Sequence, residues 1–175
     1  MSVLLSIKEK YADAILSGEK TIEVRKSFPQ RYKSAFPVYL YQREDAQKNT
    51  GGFIVGRVMC HAIQKMYFDF DTEDFRVGIG NRVNYYVGKM GDTEPIRGIC
   101  ITQEELLRYY GKWFRYKYEN GAMRKMREVQ LYGWMLSAPT RFEKPLCLEG
   151  CLDDSLHPIE RAPQSWQYCW GPGEV

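Results

Sequence analysis

Apolar and polar side chains alternate most regularly from Phe53 to Ile63, and this period of two predicts the clearest strand of the chain. Val38–Tyr41 and Val129–Ser137 predict further short strands. Arg141–Leu148, interrupted by Pro145, and Pro163–Trp170 predict two more. A helical period governs the N-terminal part. Ile7, Tyr11, Ala14 and Ile15 recur at helical spacing, and Ser6 with Glu9 has the spacing of a capping box, so a helix is expected to start at Ser6. Gly18 suits the left-handed position that ends many helices, and a strand over Thr21–Lys26 follows almost at once. Thr102 and Glu105 repeat the capping spacing and predict a helix through Tyr110, closed at Gly111.

Tyr67–Arg97 shows no clean period. It carries Asp69, Asp71, Glu73 and Asp74, then glycines at 78, 80, 88 and 91, and reads as a solvated acidic loop with short strand or helix pieces. Asp69 and Asp71 lack the Gly and terminal Glu of a calcium loop. The order is helix, strands, helix, strands, without repeats or a long linker, which favours an α+β fold. With several short strands and little to cover their edges, a small closed or nearly closed mixed barrel is the economical arrangement.

Composition sharpens this only in places. The 175 residues suit a single domain over 1–170, followed by a tail over 171–175 expected to be flexible. The N-terminal stretch lacks the pattern of a signal peptide, and no run approaches the length of a membrane span, so a cytoplasmic protein without a membrane partner is expected. Five cysteines, an odd number, suggest free thiols. Cys147, Cys151 and His157 are too few and too widely spaced for a metal site, so neither metal nor cofactor is expected.

The net charge of +3 is mild, but it is unevenly spread. Between Arg108 and Arg127, seven basic residues stand against Glu119 alone, a local charge of +6 that includes Arg115 and Lys117. Tyr109, Tyr110, Trp113, Phe114, Tyr116 and Tyr118 interleave with them. Basic side chains can track a phosphate backbone while aromatic faces stack bases. A solvated charged loop with inward aromatics gives the same pattern. Two further aromatic pairs, Tyr132 with Trp134 and Trp166 with Tyr168, each share a strand face, where they can pack the core or line a cleft.

The second candidate surface is the stretch ILSGEKTIEVR. On its strand Glu23 and Arg25 share one face, opposite Ile22 and Val24, and Lys20 sits in the preceding turn. An arginine fork suits phosphate, a carboxylate accepts from an exocyclic amine, and a lysine can hold phosphate or act as a base. A surface ion pair between Glu23 and Arg25 is the plain alternative.

GEKTIEVRK at Gly18–Lys26 resembles the signature of the ASCH domains, which belong to the PUA-like superfold. YADAILSG, FIVGRVMC, TQEELLRYYG, YGWMLS and PQSWQY occur in the order that family shows. The resemblance implies a small mixed β-barrel of the PUA-like type with flanking helices and a cleft at its side. It implies RNA or a nucleotide as ligand, with Lys20, Thr21, Glu23 and Arg25 as a polar wall, Trp166 as a stacking floor, and Arg115 and Lys117 on an outer track. Some small members deacylate N4-acetylcytidine, others are assigned nuclease activity, and many occur in phages or prophages. Catalysis by Lys20 and Glu23 and a phage-encoded protein-interaction module are therefore the other two readings. The deacylating members place a threonine three residues after the lysine. Here that position is Glu23, Thr21 lies one step after Lys20, and no local motif marks Glu104 or Glu105 as the acid.

Overall fold

The structure is a computed structural model describing residues 1–48, 50–69, 74–79, 82–89, 94–110, 118–119, 122–123 and 130–174. In chain order its elements are β1 (Ser2–Ile7), α1 (Glu9–Leu16), β2 (Ile22–Arg25), β3 (Phe36–Gln42), β4 (Phe53–Asp69), β5 (Asp74–Ile79) and β6 (Arg82–Lys89). There follow α2 (Gln103–Tyr110), β7 (Tyr118–Glu119), β8 (Ala122–Met123), β9 (Leu131–Leu146) and β10 (Trp166–Cys169). They fall into two compact units: Met1–Glu23 with Pro29–Ala62 and Trp134–Val175, and Val24–Phe28 with Ile63–Gly133.

In the first unit β1 lies between two partners. It runs parallel to β3, with Val3 opposite Val38 and Leu5 opposite Leu40, and antiparallel to β10, with Val3 opposite Tyr168 and Leu5 opposite Trp166. All six of its residues are buried. A strand covered on both faces needs no alternation, which is why SVLLSI carries apolar residues on both. This corrects the helix start expected at Ser6. Ser6 is held in the sheet, where its N–H donates to the Ser165 carbonyl at 2.9 Å. The helix begins at Glu9 behind Lys8, which gives no side-chain cap.

α1 packs Ala12 and Ile15 inward. It comes so close to β4 that a Cβ at Gly56 would stand 2.6 Å from a Leu16 methyl and 2.6 Å from the Thr140 carbonyl oxygen, so glycine alone fits there. The two strands expected over Val129–Leu148 are one, β9. The chain passes through a left-handed residue, Ala138 (φ 49°), and Pro145 lies in the largely exposed half, where a missing donor is tolerated.

In the second unit, the stretch that showed no clean period contains a hairpin. β5 pairs with the end of β4, Met66 opposite Val77, and with β6, where the register shifts twice. Those shifts break the period that the eye seeks in the sequence. Asp69 and Asp74 close the β4–β5 pairing, whereas Asp71 and Glu73 lie outside the described residues. The expected capping box of α2 is present. The Glu105 N–H donates to the Thr102 hydroxyl at 3.1 Å and the Thr102 N–H to the Glu105 carboxylate at 3.0 Å.

β4 pairs with β3 over Phe53–Cys60 and with β5 over Lys65–Asp69, and β9 pairs with β2 and β4. The path from β10 to β6 stays open among the described residues. The α+β class and mixed sheet are as expected, but the sheet does not close into a barrel. β4 gives its first half to β3 and its second half to β5.

Candidate functional site

The helix–turn–strand is built from backbone outward. Gly18, at φ 82°, takes the left-handed turn after Ser17, and the Lys20 N–H donates to the Ala14 carbonyl at 2.8 Å, tying the turn to the last helical residues. The Thr21 carbonyl accepts from the Leu136 N–H at 2.8 Å, next to the start of β2. These bonds fix where the Lys20 side chain must leave.

That side chain turns inward. Its ammonium donates to the Ile22 carbonyl at 2.8 Å, stands 3.3 Å from Glu23 Oε2 and lies 5.5 Å from the centre of the Tyr11 ring. The Lys20 and Glu23 side chains are only 2% and 8% exposed. Glu23 thus sits in a buried pair with Lys20 rather than on an open surface. Thr21 is exposed and Arg25 half-buried. Arg115 and Lys117, with most of the basic aromatic segment, lie outside the described residues. Nearby, Arg108 pairs with Glu104 along α2, and the Lys26 ammonium lies 4.8 Å from the centre of the Tyr109 ring.

Trp166 belongs to a closed circuit of five rings in the first unit. It meets Trp134 at 5.9 Å and Tyr168 at 5.5 Å, both edge to face. Tyr168 meets Tyr32 at 5.8 Å, Tyr32 stacks on Phe36 at 4.2 Å and 13°, and Phe36 meets Trp134 at 6.2 Å. Trp134 is wholly buried and serves the core, while Trp166, Tyr168 and Tyr32 are half-buried. Tyr132 packs against Phe28 in the second unit at 4.6 Å. Sequence reasoning missed Tyr32 and Phe36. Tyr32 sits in an irregular segment with no period to mark it, and Phe36 opens β3 two residues before the expected start.

Beside Tyr168, a shallow cavity of about 280 Å³ is lined by Asp153, Asp154, Ser155, Gln167 and Tyr168. N–H groups of His157 and Ser155 hold the Asp153 carboxyl below its usual range. The five cysteines are free. Among the described residues no group of His, Cys, Asp and Glu could hold a metal, and no helix is long and apolar enough to cross a membrane.

The fold recurs among solved structures, of which three are similar over most of their length. The ASCH protein of Zymomonas mobilis superposes with a TM-score of 0.57 at 15% identity, over 95% of this chain and 86% of that one. Two single-residue variants of the Zymomonas mobilis protein give TM-scores of 0.53 and 0.56, at 15% and 14% identity, each over 99% of this chain and over 91% and 89% of theirs. No match was found among curated proteins. The profile of the ASCH domain matches residues 5–120, well over half of the chain. The chain therefore belongs to the ASCH domain family, a family of PUA-like fold associated with RNA binding.

Proposed function

We propose that the chain acts as one ASCH domain in the cytoplasm and binds single-stranded RNA or a nucleotide. Lys20, Thr21, Glu23 and Arg25 form its polar reading element, and Trp166 offers a face to a base. The observation that carries this reading is the buried Lys20–Glu23 pair. Burying two charges costs desolvation that their attraction seldom returns in full, and apolar residues of similar size usually do as well or better for stability. A pair kept there under that cost supports a role in recognition: held against each other out of water, Lys20 and Glu23 fix the turn and strand that present the exposed Thr21 and the half-buried Arg25, whose fork suits phosphate. Arg115 and Lys117 would add sequence-independent attraction to the backbone.

Titration of labelled single-stranded RNA at two salt concentrations tests this. Binding that weakens with salt and is lost in Arg25→Ala is expected. No binding, or full binding by Arg25→Ala, overturns the reading.

The 3.3 Å approach of ammonium to carboxylate also favours a second reading, in which Lys20 and Glu23 exchange a proton during hydrolysis of RNA or of an N4-acylated cytidine. Turnover of either substrate, abolished in Lys20→Ala, would raise that reading above binding alone.

A further inference from the structure

We infer that Tyr32 is a displaceable plug, held by an Arg31 latch, over a nucleobase-stacking bay formed by Phe36, Trp134, Trp166 and Tyr168. The inference rests on the nucleic-acid reading above and adds where a base sits and what keeps it out.

The contact of Tyr32 with Phe36 differs from every other contact in the circuit. It alone is a parallel stack, at 4.2 Å and 13°, and the other four are tilted or edge to face. A parallel face-to-face seat on an aromatic ring is how a nucleobase is held. Tyr32 fills that seat from the irregular stretch between β2 and β3, whereas the other four rings stand on strands.

The seat fits Tyr32 poorly. Its hydroxyl and the Trp134 indole N–H are both buried without a hydrogen-bond partner among the described residues. Burial pushes the Tyr32 phenol well above its ordinary pKa. An unpartnered buried hydroxyl opposes docking, and it regains water when the ring swings out. A base brings ring nitrogens and carbonyl oxygens, edge atoms that water can continue to solvate while its face stacks. Trp134 itself is wholly buried and meets Phe36 and Trp166.

The neighbouring residue supplies the latch. The Arg31 guanidinium lies 4.3 Å from the centre of the Tyr168 ring, its Nη1 is 2.6 Å from Asp154, and its backbone N–H donates to the Tyr168 hydroxyl at 3.1 Å. The Arg31 and Asp154 side chains are about half exposed, so water competes for each contact and the latch opens at little cost.

Tryptophan fluorescence of wild type, Arg31→Ala and Tyr32→Phe, titrated with adenosine and with cytidine, tests the inference. Freeing the latch in Arg31→Ala raises nucleoside affinity roughly two- to fivefold and increases quenching by acrylamide. Tyr32→Phe removes the stranded hydroxyl, seats the plug more firmly and lowers affinity roughly fivefold. Unchanged affinity in either variant, weaker binding by Arg31→Ala, or no saturable nucleoside binding by any of the three overturns the plug. Single-stranded RNA titrated in parallel separates the two claims. RNA binding lost in Arg25→Ala but indifferent to Tyr32→Phe keeps the RNA reading and removes the plug. Nucleoside binding with the expected signs but no RNA binding keeps the plug and restricts the ligand to nucleotides.

Discussion

Lys20–Glu23 and Arg31–Asp154 are both pairs of one cation with one carboxylate, and the second is the closer, at 2.6 Å against 3.3 Å. Distance alone would rank Arg31–Asp154 as the stronger. Solvation reverses the order. The Lys20 and Glu23 side chains are 2% and 8% exposed, those of Arg31 and Asp154 54% and 43%. Water replaces either partner of the exposed pair at once, whereas removing one partner of the buried pair leaves a charge in the interior. The difference separates them: the buried pair is a fixed element of the fold, and the exposed pair is one that water can open.

The largest expected effect follows directly. Lys20→Ala leaves Glu23 buried without its ammonium and should cost about 3–5 kcal/mol in urea denaturation. A loss below about 1 kcal/mol would mean that Glu23 is met by water or by another partner, and the contrast between the pairs would collapse. The paired change Lys20→Met with Glu23→Leu sharpens the point. It should recover stability to within about 1–2 kcal/mol of wild type, because neither charge is left stranded. If the pair serves recognition, the same protein folds and no longer binds RNA. Full RNA binding by the double variant would leave the pair a purely structural role.

This comparison also marks what the sequence could tell. The turn at Gly18, the long strand from Phe53 and the capping box of Thr102 with Glu105 are local devices, and local chemistry made them legible. β1 was not, because its burial comes from β3 and β10, which are distant in sequence. The same holds for the site. The spacing of Lys20, Glu23 and Arg25 marked a polar strand, but charged residues on a strand face are expected to meet solvent, and the bond of the Lys20 N–H to Ala14 and the inward partners of its ammonium come from the fold. Tyr32 was invisible for a related reason. Its ring neighbours are Phe36 nearby and Tyr168 more than a hundred residues away, and the circuit closes through the equally distant Trp134 and Trp166, so no window contains the pattern.

Glu174 offers an intermediate case. Burial alone would raise its carboxyl, but the Ser2 hydroxyl, the Gly171 N–H and the N-terminal ammonium together hold it below the ordinary 4.5. A depressed value in the folded state means that these bonds add stability above about pH 4.5, and that this stability is lost as pH falls through the folded value. Glu174→Gln should therefore cost about 1.5 kcal/mol at neutral pH, and the melting temperatures of variant and wild type should converge on acidification. A constant gap across that range would show that the bonds do not depend on the charge.

The smallest effect on stability is expected from Arg31→Ala. The ion pair with Asp154 is screened, and the face of Tyr168 is covered by a guanidinium that water solvates well, so the loss should stay at or below about 0.5 kcal/mol in the same denaturant series. That near-neutrality matters. A latch must be cheap to open, and a contact that held the fold together could not serve as one. A cost above about 1 kcal/mol would place Arg31 with Lys20 among the structural charges, and the proposed division between a fixed pair and a releasable one would fail. A neutral Arg31→Ala that nevertheless increases acrylamide quenching of the tryptophans would separate the two roles within one variant, because the Tyr32 plug would have loosened while the fold kept its stability.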